Sequence, residues 1–369
     1  MDGAQVRALA YPALVGSPRV GDRVLLNVAA LERGLGTGGY AFVVAIPDRL
    51  PDDPASGTGH IVKSRYTPLQ AMVASVEEQG SPHHELLREA GSVDGMPVVV
   101  ADLHSALPAI LAGVFAAGTA LRAVYVMQDG GALPAWFSRT VAGLRDAGWL
   151  AATVTTGQSF GGDLEAVTVH SGLLAARHVA GADVAVVAQG PGNLGTGTRW
   201  GFSGVAAGEA VNAAAVLGGR PVGSLRLSDA DARSRHQGVS HHSLTAYGQV
   251  ALAACDVVVP ELPEPLGSRV AADAAPLAAR HRLVTVPAGG LESALRACPV
   301  PLSTMGRGLD DDLAYFLAAA AAGRHAASLL ASSGLAEGGD GQPTAAMMST
   351  TKTSVSVPLM PALDWPAEP

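Results

Sequence analysis

Eight short apolar runs constrain this chain more than any other feature. They read "MPVVVAD", "LRAVYVMQD", "WLAATVTT", "LEAVTVH", "ADVAVVAQ", "RPVGSLRLSD", "DVVVPE" and "RLVTVPAG". Their apolar residues are consecutive rather than alternating, so both faces of each strand must be covered. Helix-like stretches lie between many of them, such as "LHSALPAILAGVFAAG", "SGLLAARHVAG" and "VAAGEAVNAAAVLG". Strand and helix in alternation predict an α/β fold with a mostly parallel sheet and helices on both faces. The spacing of the units is too irregular for a closed barrel of eight repeats. An open, Rossmann-like sheet is the expectation.

Composition limits the function classes. Charged residues are 15% of the chain and the net charge is −8, which disfavours a broad electrostatic grip on nucleic acid. The runs "LPAILAGVFAAG" and "LAYFLAAAAAG" fall short of the roughly 18 apolar residues of a membrane span. The start, "MDGAQVRALAYP", lacks a basic region followed by an apolar core, so a cytoplasmic location is expected. The two cysteines, Cys255 and Cys298, sit in or beside apolar runs and read as reduced, buried thiols.

Four segments are distinguished. Residues 1–57 carry short β-rich runs, "DRVLLNVAAL" and "YAFVVAIP" among them, broken by glycine and proline; they predict a small barrel-like β-domain. Residues 58–94 predict a connecting strand end and then a helix through "LQAMVASVEEQGS". Residues 95–332 hold the α/β pattern, with a last helix near Leu309 to Leu330. Residues 333–369 lose all periodicity and read as a flexible tail, in which "TSVSVPLM" is a candidate edge strand.

The stretch "AQGPGNLGTGTRWGFSG" follows the fifth run and precedes a helix. Gly190, Gly192 and Gly195 have the G-x-G-x-x-G spacing of a dinucleotide fingerprint. The helix does not open at once, Pro191 removes a donor, and no acidic residue stands about twenty positions after Gly195. A phosphate loop of the Walker type would need a lysine that is absent here. A purely structural loop is one reading. Backbone donors and Asn193, Thr196, Gly197, Thr198 and Arg199 around a polar or anionic ligand are the other.

Polar residues terminate the strands: Asp102 and His104, Asp129, His170, then Asp229 and Asp231. Ligands bind outside the carboxyl ends of strands in open α/β sheets, although helix capping accounts for some such residues. The segment "SDADARSRHQGVSHHSLTAYG" adds Arg235 and three histidines, His236, His241 and His242, with Ser240 as the expected N-cap. Imidazoles near neutral pH serve as acid, base or metal ligand. Their spacing matches no zinc signature, and a solvated polar loop is the bland alternative. "STMGRGLDDD" offers Arg307 as an anion contact.

The stretches "VKSRYTPLQ", "VVAQGPGNLGTGTRWGFSGVAAGEAVNA", "SRHQGVSHHSLTAYG" and "STMGRGLDDD" resemble those of an uncharacterised bacterial domain-of-unknown-function family, typical of actinobacteria and related Gram-positive bacteria. The resemblance extends to about Ala327. It implies a stand-alone cytoplasmic protein and supplies no catalytic residues. Members begin with an extra β-like segment, so this chain is expected to start late relative to them.

These readings converge on a small-molecule site at the carboxyl edge of the sheet, with hydrolysis or group transfer as the least specific fit. His241 or His242 would be an acid–base group or a ligand, oriented by Asp129 or Asp229. The loop glycines, with Arg199, Arg235 and Arg307, would hold the ligand. Asp102, His104, His170 and His236 are the further candidates for a divalent metal, and the cofactor, metal or nucleotide, stays open. The alternative is a non-catalytic metabolite-binding or assembly protein, including a homo-oligomer.

Overall fold

In a computed structural model, residues 5–36, 38–51 and 59–331 are described. The "PDDPASGTG" linker lies mostly outside them, and the tail with its candidate edge strand lies wholly outside.

The eight strands of the main sheet are β1 (Pro97–Val100), β2 (Ala123–Gln128), β3 (Ala152–Thr155), β4 (Leu164–Glu165), β5 (Val184–Gln189), β6 (Arg220–Ser224), β7 (Asp256–Pro260) and β8 (Arg282–Val286). Their order across the sheet is β8-β7-β6-β1-β5-β2-β3-β4, and every pairing is parallel. The continuous apolar runs have the expected cause. In β5, Val184, Val186 and Ala188 face one helical layer while Ala185 and Val187 face the other.

One layer contains α1 (Leu107–Phe115), α2 (Arg139–Asp146), α7 (Leu291–Arg296) and α8 (Leu313–Ala331). The opposite layer contains α3 (Val169–His178), α4 (Ala206–Val216), α5 (His241–Thr245) with the π-helical turn Ala246–Val250, and α6 (Leu266–Ala274). Helix α8 is long and apolar enough, by length and composition, to cross a membrane, but 72% of its most apolar window is buried inside the fold. It packs backbone to backbone on α1: a Cβ on Gly113 would stand 1.8 Å from the Ala320 carbonyl oxygen, and one on Gly323 1.9 Å from that of Ile110.

The chain leaves β1 for β2 through the α1 layer, and leaves β5 for β6 through the α4 layer. β1 and β5 are neighbours whose connections depart on opposite faces. Such a reversal opens a crevice outside the strands' carboxyl ends. Asp102 follows β1, and the glycine-rich loop follows β5.

The N-terminal strands Ala8–Leu9, Leu25–Asn27 and Ala41–Ala45 form a three-stranded sheet. Aromatic side chains of this N-terminal part meet the main domain, with ring centroids of Tyr11 and Trp136 6.2 Å apart and of Phe42 and Phe137 6.2 Å apart. The connecting segment differs from expectation. Ile61–Lys63 and Ala71–Val73 pair as an antiparallel hairpin, and the helix starts only at His84. Lys63 explains the difference: fully buried, it donates to the carbonyls of Gly157 (2.6 Å), Ser159 (2.9 Å) and Ala166 (3.3 Å), which ties the hairpin to the main domain. The fourth run also forms less strand than expected. Only Leu164–Glu165 pairs, and His170 is the second residue of α3 rather than the end of a strand.

Candidate functional site

The loop after β5 is built rather than slack. Gln189 Nε2 donates to the Asp102 carbonyl (2.7 Å) and to Asn193 Oδ1 (3.0 Å). Asn193 Oδ1 also accepts from Ser203 Oγ (2.8 Å) and from the Gly204 amide (3.1 Å). Thr196 N donates to Gly201 O (2.8 Å) and Ser203 N to Leu194 O (2.9 Å), so residues 194–203 fold back as a tight hairpin. Two glycines expected to admit a ligand instead admit protein. A Cβ on Gly190 would stand 2.7 Å from the Ala132 carbonyl oxygen, and one on Gly204 would stand 3.0 Å from Asp102. Gly192 adopts a left-handed backbone, and Gly195 bridges Phe202 across the hairpin. Thr196 and Thr198 hydroxyls lie 2.9 Å from each other.

The tip of this hairpin meets the histidine segment. Gly197, Arg199, Arg235 and His241 line one open cleft of about 540 Å³, closed below by Leu244, Thr245 and Leu277. Behind it the three histidines form a cluster. Ring centroids are 5.1 Å apart for His236 and His241, 4.9 Å for His236 and His242, and 4.4 Å for His241 and His242. One ring nitrogen from each lies within 4.8 Å of the others. Phe202, from the loop, stacks on His242 at 3.8 Å with 3° between the planes.

Local chemistry positions these rings. Ser240 caps α5 by accepting from the His242 amide (3.2 Å), as expected, and its Oγ also lies 2.7 Å from His236 Nδ1. Burial first, then the nearby Arg226 charge, lowers the His236 pKa to about 3. Burial and then His242 and Arg235 lower that of His241 to about 4. Both rings are therefore neutral at pH 7, with lone pairs available.

A chain of buried charge supports the cluster. Arg226, 5% exposed, donates to His242 Nδ1 (3.1 Å). Its guanidinium lies 3.9 Å from Asp102 and 3.9 Å from Asp231. Asp102 is 4% exposed, and its Oδ2 takes no hydrogen bond although His242 Nδ1 is 3.5 Å away. Asp231 is held below the usual carboxylate range, chiefly by the paired hydrogen bonds of Arg233 (2.9 and 2.8 Å).

The structure separates other expected members from this place. Asp129 accepts from the amides of Gly130 (2.9 Å) and Gln158 (3.0 Å) at the end of β2; Asp102 stands beside His242 instead. Asp229 is exposed and touches none of the three histidines. His170 is exposed at the start of α3. His104 is bound elsewhere, with Nε2 2.7 Å from Ser138 Oγ and Nδ1 3.1 Å from Tyr125 Oη, and burial lowers its pKa to about 4. It lines a second cleft, of about 340 Å³, shared with Arg7, Gly38 and Ser138. Arg307 is ion-paired with Asp231 (3.2 Å) and Asp312 (2.9 Å), which occupies the charge expected to hold an anion. Two contributors were not singled out from the sequence: Arg226, an arginine between Leu225 and Leu227 in an apolar stretch, and the stacking Phe202. The isolated arginine in that run is the signal that would have found the first.

Fold and cleft together define an all-parallel open α/β protein with a cation-bearing cleft and a histidine cluster at the switch point of its sheet. Residues 7–323 match a family described as protein of unknown function, DUF3866, and the chain belongs to that family. No curated protein and no solved structure matches it.

Proposed function

We propose that the cleft between the loop tip and α5 binds a small anionic or polar molecule, and that the protein acts on it by hydrolysis or group transfer. One observation carries this reading: Arg199, Arg235, Gly197 and His241 come from two distant segments yet line the same cleft. Two guanidiniums favour phosphate- or carboxylate-bearing ligands. The neutral imidazole of His241 at the rim can accept a proton, although its lowered pKa of about 4 makes it a weak base at pH 7. A small ligand, rather than nucleic acid, is in keeping with the net charge of −8. The reading extends to a cytoplasmic protein working on a metabolite.

Titration of the purified chain with inorganic phosphate, pyrophosphate and a set of phosphorylated metabolites and nucleotides tests it. Removing one charge-assisted contact costs about 1.5–3 kcal/mol, so Arg235→Ala is expected to weaken binding roughly tenfold or more. Arg199 and Arg235 are exposed, so neither alanine variant disturbs the core. Absence of binding, or binding indifferent to both variants, refutes the proposal. A non-catalytic binder is favoured by one contact, Arg226 on His242 Nδ1, which withdraws that nitrogen from proton transfer. Tight binding without turnover of any bound compound would select that second reading.

A further inference from the structure

We infer that His236, His241 and His242 form a three-histidine site for one divalent ion of the zinc type, with its remaining position directed to the cleft that His241 lines. The inference deepens the cleft reading by placing an ion beside the anion, and its test uses the ion alone.

The geometry of the rings carries it. Zinc binds imidazole nitrogen at about 2.0–2.1 Å, so rings sharing a tetrahedral ion have centres about 5 Å apart. The three separations here are 5.1, 4.9 and 4.4 Å. The ligating nitrogens, within 4.8 Å of one another, need to draw in toward the roughly 3.4 Å of a tetrahedral set. Small ring rotations supply that movement.

The free nitrogens also agree. His236 Nδ1 is taken by Ser240, and His242 Nδ1 by Arg226 with Asp102 close behind. His241 Nε2 is buried with no partner at all. The Nε2 atoms are thus the set left to meet an ion, that of His242 once its proton has passed to Nδ1. A buried ring nitrogen without a partner is unfavourable, and a bound ion removes that cost. Phe202 covers one face of His242, so only the edge of that ring is available, which is where its nitrogens lie.

The surroundings match what metal-binding histidines require. Such histidines donate their second ring N–H to a carboxylate, hydroxyl or carbonyl. Ser240 Oγ stands there for His236; for His242, ion binding at Nε2 moves the ring proton to Nδ1, which then turns from Arg226 to the unbonded Asp102 oxygen 3.5 Å away. Asp102 and Asp231 offset part of the positive charge that Arg226 brings beside the rings. Three protein ligands leave a position for water or substrate, the arrangement of catalytic rather than structural zinc. Arg199 and Arg235 border the same space, so the class of ligand expected there is an anion that meets the ion and both guanidiniums together.

The full chain, stripped with a chelator, is titrated with zinc alone against a chromophoric indicator. One equivalent per chain is expected. His241 is only half-buried, so His241→Ala should fold while losing affinity at least a hundredfold, and Asp102→Asn should lose roughly 10–100-fold. X-ray absorption of the zinc-loaded wild type, which depends on no variant, should count three imidazole ligands. Substoichiometric binding, fewer than three imidazoles, or affinity unchanged in His241→Ala overturns the inference. Arg235→Ala separates the two readings, because it should keep zinc while losing the anion. Anion binding that persists in a chain unable to hold zinc overturns the metal site and leaves the cleft standing.

Discussion

Asp102→Asn is the most informative single change, because it removes a charge without changing shape. Asp102 and Arg226 are both buried and lie 3.9 Å apart. At an effective dielectric of about 20 that attraction is worth about 4 kcal/mol. Arg226 keeps a second carboxylate, Asp231, but that group is already bonded to Arg233 and Arg307. Relief of the desolvation of Asp102 offsets part of the loss, so the expected destabilisation is about 2–4 kcal/mol. For a chain of this size that is roughly 3–5 °C in Tm. Urea and thermal unfolding of metal-free protein measure it directly. Because the pair is buried, high salt should leave the difference nearly intact. Arg226→Met combined with Asp102→Asn should recover more than 1 kcal/mol relative to the sum of the single changes. A loss below about 0.5 kcal/mol, or strict additivity, would refute the view that these charges depend on each other.

Gly113→Ala and Gly323→Ala should each lower Tm, although alanine gains about 1 kcal/mol over glycine in an open helix. The new methyl would meet a carbonyl of the facing helix at under 2 Å, and forcing the helices apart costs about 1–3 kcal/mol or more; an unchanged or raised Tm contradicts the close α1–α8 contact. His104 sets a pH dependence. Burial lowers its folded pKa to about 4, below the unfolded value of about 6.5, so the stability it contributes is complete above pH 6.5 and declines as pH falls toward 4. The span is about 3–3.5 kcal/mol. His104→Gln should therefore lose less stability than wild type between pH 7 and pH 4.5, as read from urea midpoints, and equal losses would discount its burial.

Strand positions were legible because parallel strands buried on both faces need unbroken apolar runs, and β1, β5 and β7 supply them. Where a run served a smaller purpose, the reading failed. Leu164–Glu165 needs only two residues to edge the sheet, and the segment around Lys63 folds as a hairpin because three carbonyls of a distant loop hold its ammonium. At the site, the loop and the histidines were visible as local concentrations of glycine and imidazole. The carboxylate beside them was misassigned for a reason of topology. Chain order places β2 and Asp129 next after β1, but β5 inserts between them, so Asp129 ends up three strands from β6. Asp102, at the end of the strand adjoining β6, occupies that position. Composition reports none of this, because strand order depends on which edge each crossover reaches.

The late arrival of β5 has a consequence for how the chain is made. β1 and β2 leave the ribosome as consecutive strands that never pair with each other, and the strand that joins them is completed about sixty residues later. At synthesis rates of roughly 5–20 residues per second, two apolar edges stand open for several seconds. Exposed edges of this kind recruit other chains. Newly made molecules should accordingly be most prone to associate wrongly in that interval, and a chain truncated before Val184 should be far more dependent on chaperones than one truncated after Gln189.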